Sequence, residues 1–204
     1  MVKEGLPFVL VPAFAALLAA YFQLWILAAV LAAVAFFMAY FFRDPERRIP
    51  AEENVIVSAA DGRVTRIEDV AEGKVVSVFL SPFDVHINRA PIKGRITSVE
   101  YVKGRKAPAT SNQASFSNER NSLTIAGEKM TVVCTQIAGI VARRIVCWKN
   151  EGDELEIGER FGLIKFGSRT DLLMPSTIEL LISVGDRVIG GETLIARMPP
   201  TNGS

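Results

Sequence analysis

From Gly5 to Phe42 the sequence holds no charged residue, a fact that divides the chain into two parts suited to different solvents. The apolar stretch Leu6 to Phe42 is 37 residues long. As one straight helix rising about 1.5 Å per residue it would reach roughly 55 Å, well past a hydrocarbon layer of about 30 Å. The polar and aromatic break Tyr21-Phe22-Gln23-Leu24-Trp25 falls near its middle, where amphipathic rings suit the headgroup level. The pattern predicts a membrane-associated helical hairpin in residues 1–42, with arms at about Leu6 to Ala20 and Leu24 to Phe42. Whether the arms span or re-enter is left open. Lys3, Arg43, Arg47 and Arg48 flank the hairpin and favour the cytoplasmic face of the cell membrane for both ends. A cleaved signal peptide is disfavoured, because the apolar run is too long and its start lacks a clear basic region.

After residues 43–50, read as a linker, charges become frequent and nearly balanced, so the formal net charge of +1 describes no general affinity for nucleic acid. Residues 51–204 are expected to form one β-rich domain. Short apolar runs separated by Gly, Asp and Asn predict strands at Val55 to Ala60, Arg63 to Ile67, Lys74 to Leu80, Ser122 to Ile125, Met130 to Ile137, Ile145 to Trp148, Glu159 to Lys165 and Asp171 to Met174. Gly62-Arg63-Val64-Thr65 is echoed at Gly94-Arg95-Ile96-Thr97, a sign of internal duplication. Val184 to Ile195 resembles the hairpin of biotinyl and lipoyl carrier domains. It has no lysine at a tip, so it speaks for the architecture and against a carrier role. The expected fold class is mainly β: a barrel-sandwich (lipoyl-like) domain preceded by an N-terminal α-helical membrane hairpin. The polar stretch Lys103 to Asn121 reads as a lid or as a plain surface loop, and its Lys103, Arg105 and Lys106 as a contact for anionic headgroups or a solvated face. Cys134 and Cys147, without Cys-x-x-Cys spacing, are expected to be buried free thiols in a reducing compartment. With one histidine in the chain, no metal site is expected.

The chemistry centres on Gly167-Ser168. A glycine backbone reaches conformations that open its carbonyl to the hydroxyl of the next residue. Attack there converts the amide to an ester, β-elimination breaks the chain, and loss of ammonia leaves a pyruvoyl group at the new N-terminus. Such a ketone forms Schiff bases with amines and accepts electrons. Both the attack and the later proton transfers need a base near neutrality, and His86 is the only histidine. If Asp84-Val85-His86 is extended, Asp84 and His86 share a face and the carboxylate can orient the ring. Asp61, before Gly62, reads by itself as an Asx-turn residue.

Taken in order, the apolar anchor, Ala60-Asp61-Gly62, Ser81-Pro82-x-Asp84-x-His86 through Arg89-x-Pro91, Asn118-Glu119-Arg120-Asn121 and Lys165-Phe166-Gly167-Ser168 resemble the phosphatidylserine decarboxylases of the short, membrane-anchored form. The resemblance implies cleavage at 167/168 into a β chain (1–167) and an α chain (168–204) that stay together as a heterodimer. It also implies a covalent pyruvoyl cofactor from Ser168 and conversion of phosphatidylserine in the membrane to phosphatidylethanolamine and CO2 through a Schiff base. The family's serine, histidine and aspartate relay implies roles for Ser168 and Asp61, whereas His86, with Asp84 beside it, matches the first of two histidines of which the second carries the relay role. Larger relatives carry a second histidine where this chain has Arg89. Either His86 takes over that role or a strained Gly167-Ser168 bond cleaves with less help, and Arg89, Asn118 and Arg120 become candidates for substrate binding. No nucleic-acid partner is implied, and a homo-oligomer is left open. The rival reading is a membrane-anchored, non-enzymatic barrel-sandwich adaptor, which leaves Lys165-Phe166-Gly167-Ser168 without a purpose.

Overall fold

The computed structural model describes residues 1–52, 54–104, 118–139, 144–165 and 168–198. Gly167, Phe166, Arg105, Lys106 and most of the expected lid, 105–117, lie outside the described residues. The chain forms two compact units, Met1–Glu46 and Arg47–Ser204, the division falling inside the stretch expected as a linker.

In the first unit a 3-10 turn, Lys3–Gly5, leads into α1 (Leu6–Tyr21), and α2 (Trp25–Phe41) returns. Gln23, at φ 59°, makes the reversal, and Gln23 and Leu24 donate to the Ala20 and Ala19 carbonyls at 2.9 Å each, satisfying the end of α1. Ala16, Ala19 and Ala35 are buried, small residues that let two backbones approach. Leu10, Val11, Phe14, Leu17 and Ile26 are exposed, 61–85%. Lys3–Tyr21 is long and apolar enough to cross a bilayer, whereas Trp25–Phe41 is shorter.

In the second unit the strands in chain order are β1 (Val55–Val57), β2 (Gly62–Val70), β3 (Gly73–Leu80), β4 (Ile87–Arg89) and β5 (Gly94–Val102). They continue with β6 (Arg120–Ala126), β7 (Thr131–Ala138), β8 (Arg144–Cys147), β9 (Glu154–Leu155) and β10 (Arg160–Lys165). The last four are β11 (Ser168–Met174), β12 (Glu179–Leu180), β13 (Arg187–Val188) and β14 (Leu194–Arg197). Eight of them form one sheet in the order β13-β2-β3-β11-β7-β6-β5-β9, curled into a half-barrel. Two three-stranded sheets, β4-β10-β8 and β1-β14-β12, complete the unit. The chain is thus mainly β behind an apolar helical hairpin, the class expected from sequence.

Alternation along the strands builds the core. Val76, Val78, Leu80, Leu123, Ile125, Val132, Cys134, Leu172 and Met174 pack on one face of the main sheet with Ile56, Phe161 and Ile195 from the smaller sheets. Ser168 and Thr170 therefore point to the core side of β11, while Arg169 and Asp171 share the opposite face, where they form an ion pair at 2.8 Å. β11 begins at Ser168, three residues earlier than its apolar pattern predicts.

The suspected duplication is physical. Gly62 and Gly94 each open a nine-residue strand with a register shift at the same place, between Val64 and Arg66 in β2 and between Ile96 and Ser98 in β5. Val64 and Ile96 donate to the Asp186 and Asp153 carbonyls, and Gly185 and Gly152 donate back to them. The turns that serve the two strands hold glycines with positive φ at matching steps, Gly152 (94°) and Gly158 (74°), Gly185 (103°) and Gly191 (80°). The segment read from sequence as one hairpin, Val184 to Ile195, is instead shared between sheets: β13 pairs with β2, and β14 with β1 and β12. The turn between them carries the chain across the core.

Cys134 is fully buried, and burial drives its thiol far above the usual range; Cys147 is half-buried rather than enclosed, its thiol also raised by burial. Iodoacetamide should therefore modify Cys147 slowly in the native protein and Cys134 only after unfolding, a difference that peptide mass mapping reads directly.

Candidate active site

Ser168, the first residue of β11, lies between Leu80, the last residue of β3, and Ala138, the last of β7. All three strands change sheets at this level: β3 leads through Ser81 to His86 into β4, β7 leads to β8, and β10 leads into β11. Three strand ends, at Leu80, Ala138 and Ser168, thus meet at one rim. Gly62 opens β2 in the same row, because Arg63 pairs with Phe79, so the Asp61-Gly62 turn belongs to this rim too. A Cβ on Gly62 would come within 2.1 Å of the Phe79 carbonyl oxygen, which makes glycine obligatory there. Ser168 is 0% exposed, and its Oγ has no hydrogen-bond partner among the described residues. A hydroxyl buried in that state costs about 1–3 kcal/mol and remains available for chemistry.

Asp84 lies in the turn after β3 rather than in a strand, and His86 immediately precedes β4. The Asp84 carboxylate accepts from the Ser81 backbone N–H at 2.8 Å and the Ser81 hydroxyl at 2.6 Å, and it pairs with Arg187. Its backbone carbonyl, not its carboxylate, meets His86 Nδ1 at 2.9 Å. The expectation of a carboxylate orienting the ring is corrected accordingly. Since a carbonyl only accepts, Nδ1 carries the hydrogen and Nε2 is the basic nitrogen. Ile164 donates to the His86 carbonyl at 3.1 Å, tying this residue to the strand that runs into Ser168.

Asp61 is more than a turn residue. Arg47 Nη2 donates to both of its oxygens, at 2.9 and 2.8 Å, and Gly190 N–H donates at 2.8 Å. Arg47, counted from sequence among the charges flanking the hairpin, is thus a buried counter-ion. Burial pushes the Asp61 carboxyl above its usual range; Arg47 and the Gly190 N–H oppose this only in part, and the Asp84 charge adds to it.

Comparison with known proteins fits this arrangement. A family model described as phosphatidylserine decarboxylase matches residues 34–196. The phosphatidylserine decarboxylase proenzyme of Symbiobacterium thermophilum is 46% identical over 97% of this chain and 95% of its own length. That of Geotalea uraniireducens is 42% identical over 96% and 95%. The chain belongs to the phosphatidylserine decarboxylase family. It is accordingly a decarboxylase rather than a non-enzymatic adaptor.

The other residues singled out from sequence take different places in this decarboxylase. Asn118 is buried and donates to the carbonyl of Ala138, the ladder neighbour of Ser168, at 2.8 Å. Arg120 pairs in register with Ile137, which faces Arg169, so it lies on the sheet face opposite the Ser168 side chain. Arg89 is buried and donates to the Gly158 carbonyl at 3.0 Å, against the Gly190-Gly191 turn. Among the described residues no cluster of three or more His, Cys, Asp or Glu side chains could hold a metal ion.

Sequence reading missed a buried amide chain under the rim. Asn121 Nδ2 donates to Gln136 Oε1 at 3.0 Å, Gln136 Nε2 to Asn88 Oδ1 at 2.9 Å, and Asn88 Nδ2 to Thr170 Oγ1 at 2.9 Å. All four are 0–3% exposed. The available signal was parity: in Val132-Val133-Cys134-Thr135-Gln136, Gln136 falls in the alternation of core-facing residues.

Replacing Arg47 by Met should destabilise the protein by about 3–5 kcal/mol near neutral pH, because it strands a buried carboxylate. The raised pKa means that the folded state holds the Asp61 proton more tightly than the unfolded chain, so stability falls as pH rises through the folded pKa. Part of the loss should therefore return at pH 5 relative to pH 8 in urea titrations. An equal loss at both pH values would exclude Asp61 as the stranded group.

Proposed function

We propose that the chain is made as a proenzyme that breaks its own backbone between Gly167 and Ser168, and that the product converts phosphatidylserine to phosphatidylethanolamine and CO2 at the membrane. The observation that carries this reading is the buried Ser168 hydroxyl, without a hydrogen-bond partner among the described residues, at the start of a central strand beside the crossover that bears His86. It fits a pyruvoyl precursor: the residue is held by its strand, and its hydroxyl is bonded to no described residue.

Ser168 Oγ adds to the carbonyl carbon of residue 167 and its proton passes to His86 Nε2. The amide C–N bond breaks with protonation of nitrogen, leaving an ester. Removal of the Ser168 Cα proton then expels residue 167 as a carboxylate, and water displaces ammonia at the new N-terminus. Asp84 shapes the turn and its carbonyl fixes the His86 tautomer. Asp61 joins the relay through its place in the same rim row. A pyruvoyl group formed from Ser168 would supply a carbonyl able to condense with the substrate amine and to accept electrons during decarboxylation. His86 Nε2 returns a proton to the substrate carbon. Burial of the rim keeps bulk water from competing and favours dispersal of the carboxylate charge.

The two pieces, 1–167 and 168–204, remain a heterodimer. The apolar hairpin holds the enzyme at the cytoplasmic face of the membrane, where a diacyl lipid is searched for in a plane rather than a volume. Purified protein should run as two bands under denaturing conditions, and intact mass should report a blocked N-terminus on the smaller piece. Ser168→Ala should run as one band without decarboxylase activity. A cleaved, active Ser168→Ala protein would reject the scheme.

A further inference from the structure

We infer that the Asn88–Thr170 hydrogen bond, backed by Gln136 and Asn121, is a positioning device that sets His86 opposite Ser168, so that these four residues control the rate of self-cleavage. The inference rests on the proposed break at Ser168 and adds residues that the Ser168, His86 and Asp61 relay does not contain.

The argument is one of register. β3 ends at the rim with Leu80, so β4, which follows the turn, runs away from the rim. β11 begins at the rim with Ser168 and is antiparallel to β3, so it also runs away from the rim. His86 is two residues rimward of Asn88, and Ser168 two residues rimward of Thr170. Both offsets correspond to about 6.6 Å of extended chain. A bond that joins Asn88 to Thr170 therefore holds His86 and Ser168 at matched depth on facing chains. No backbone ladder does this, since β4 and β11 lie in different sheets and do not pair.

The bond is also unusually well specified for a contact between sheets. Gln136 occupies the other end of the Asn88 amide and is itself in register with Thr170 and with Asn121. Each amide accepts at oxygen and donates at nitrogen, so the three dipoles run head to tail from Asn121 towards β11, an arrangement in which neighbouring bonds polarise one another. Asn88 cannot turn its amide over without opposing two donors at Gln136. The chain ends on the Thr170 hydroxyl, which accepts from Asn88.

The full-length chain synthesised in a cell-free system with phospholipid vesicles allows the uncleaved band to be followed over time. Thr170→Val keeps the side-chain shape and removes the acceptor. It should slow cleavage roughly ten- to hundredfold, the sensitivity expected when reacting groups lose their alignment. Thr170→Ser keeps the hydroxyl and should cleave within about twofold of the parent. Asn88→Ala removes the same bond together with those to Gln136 and to the Ala59 carbonyl, so it should slow cleavage at least as much as Thr170→Val, and adding Thr170→Val to it should add little. Thermal unfolding of the same substitutions in a Ser168→Ala background reports whether the uncleaved fold is intact at the assay temperature. Cleavage of Thr170→Val at the parental rate overturns the inference, as does slowing no greater than the unfolded fraction accounts for. A parent chain that never breaks overturns the proposed function beneath it, whereas a parent that breaks beside an unaffected Thr170→Val overturns this inference alone.

Discussion

β11 is bonded along both flanks, to β3 and to β7, and everything at the rim is referred to that double ladder. A residue at the start of an edge strand would fray. Ser168 starts a strand with neighbours on each side, so its backbone is fixed while its hydroxyl is left uncommitted. Burying such a group is unfavourable, and the fold tolerates it because the surrounding core is extensive and the amide chain next to it satisfies its own members.

The duplicated frame explains how the rim is kept in shape. In each half a strand opened by glycine bulges after its third residue and is closed off by a Gly-Asp turn. The halves differ in the residue before that glycine. It is Asp61 in the first, bound by Arg47 and Gly190, and Lys93 in the second, paired at the surface with Glu156. A buried carboxylate with a raised proton affinity and an exposed ion pair thus occupy equivalent positions in one repeated geometry. The frame supplies placement, and the single substituted position supplies charge.

Much of this was legible in the residues. The uncharged run with its Tyr21 to Trp25 break gave the hairpin within a residue or so of each arm, because helix length and turn polarity are local properties. β6, with clean alternation, and β3, a β-branched run, were readable for the same reason. What failed was long-range. Asp84 and His86 look like alternate residues of a strand, yet Pro82 and the Asp84 cap on Ser81 make a turn, a competition that hydrogen bonding to the backbone wins. Arg47 sits among membrane-flanking charges in sequence but is drawn into the β unit by Asp61, 14 positions along. The second copy of the carrier-like turn, Gly152-Asp153 to Gly158, was visible by its spacing once the copy at Gly185-Asp186 to Gly191 had been noticed. Parity could mark Gln136 as core-facing, but its connection to Asn88 and Thr170 could be recognised only after the sheets were assembled, since no sequence signal joins residues from β4, β7 and β11.

The strands downstream of Ser168 are distributed through the domain rather than gathered at its end. β11 is interior to the largest sheet, β14 is the middle strand of another, and β13 borders β2. Residues 168–198 are therefore woven through the rest of the unit like weft through warp. The proposed scission ahead of Ser168 would alter the covalent connectivity and leave the tertiary partners where they were, so the shorter polypeptide would have no route of escape that does not first dismantle two sheets. Dissociation and global unfolding then become the same event, and a nicked molecule of this design inherits the kinetic persistence of an intact one.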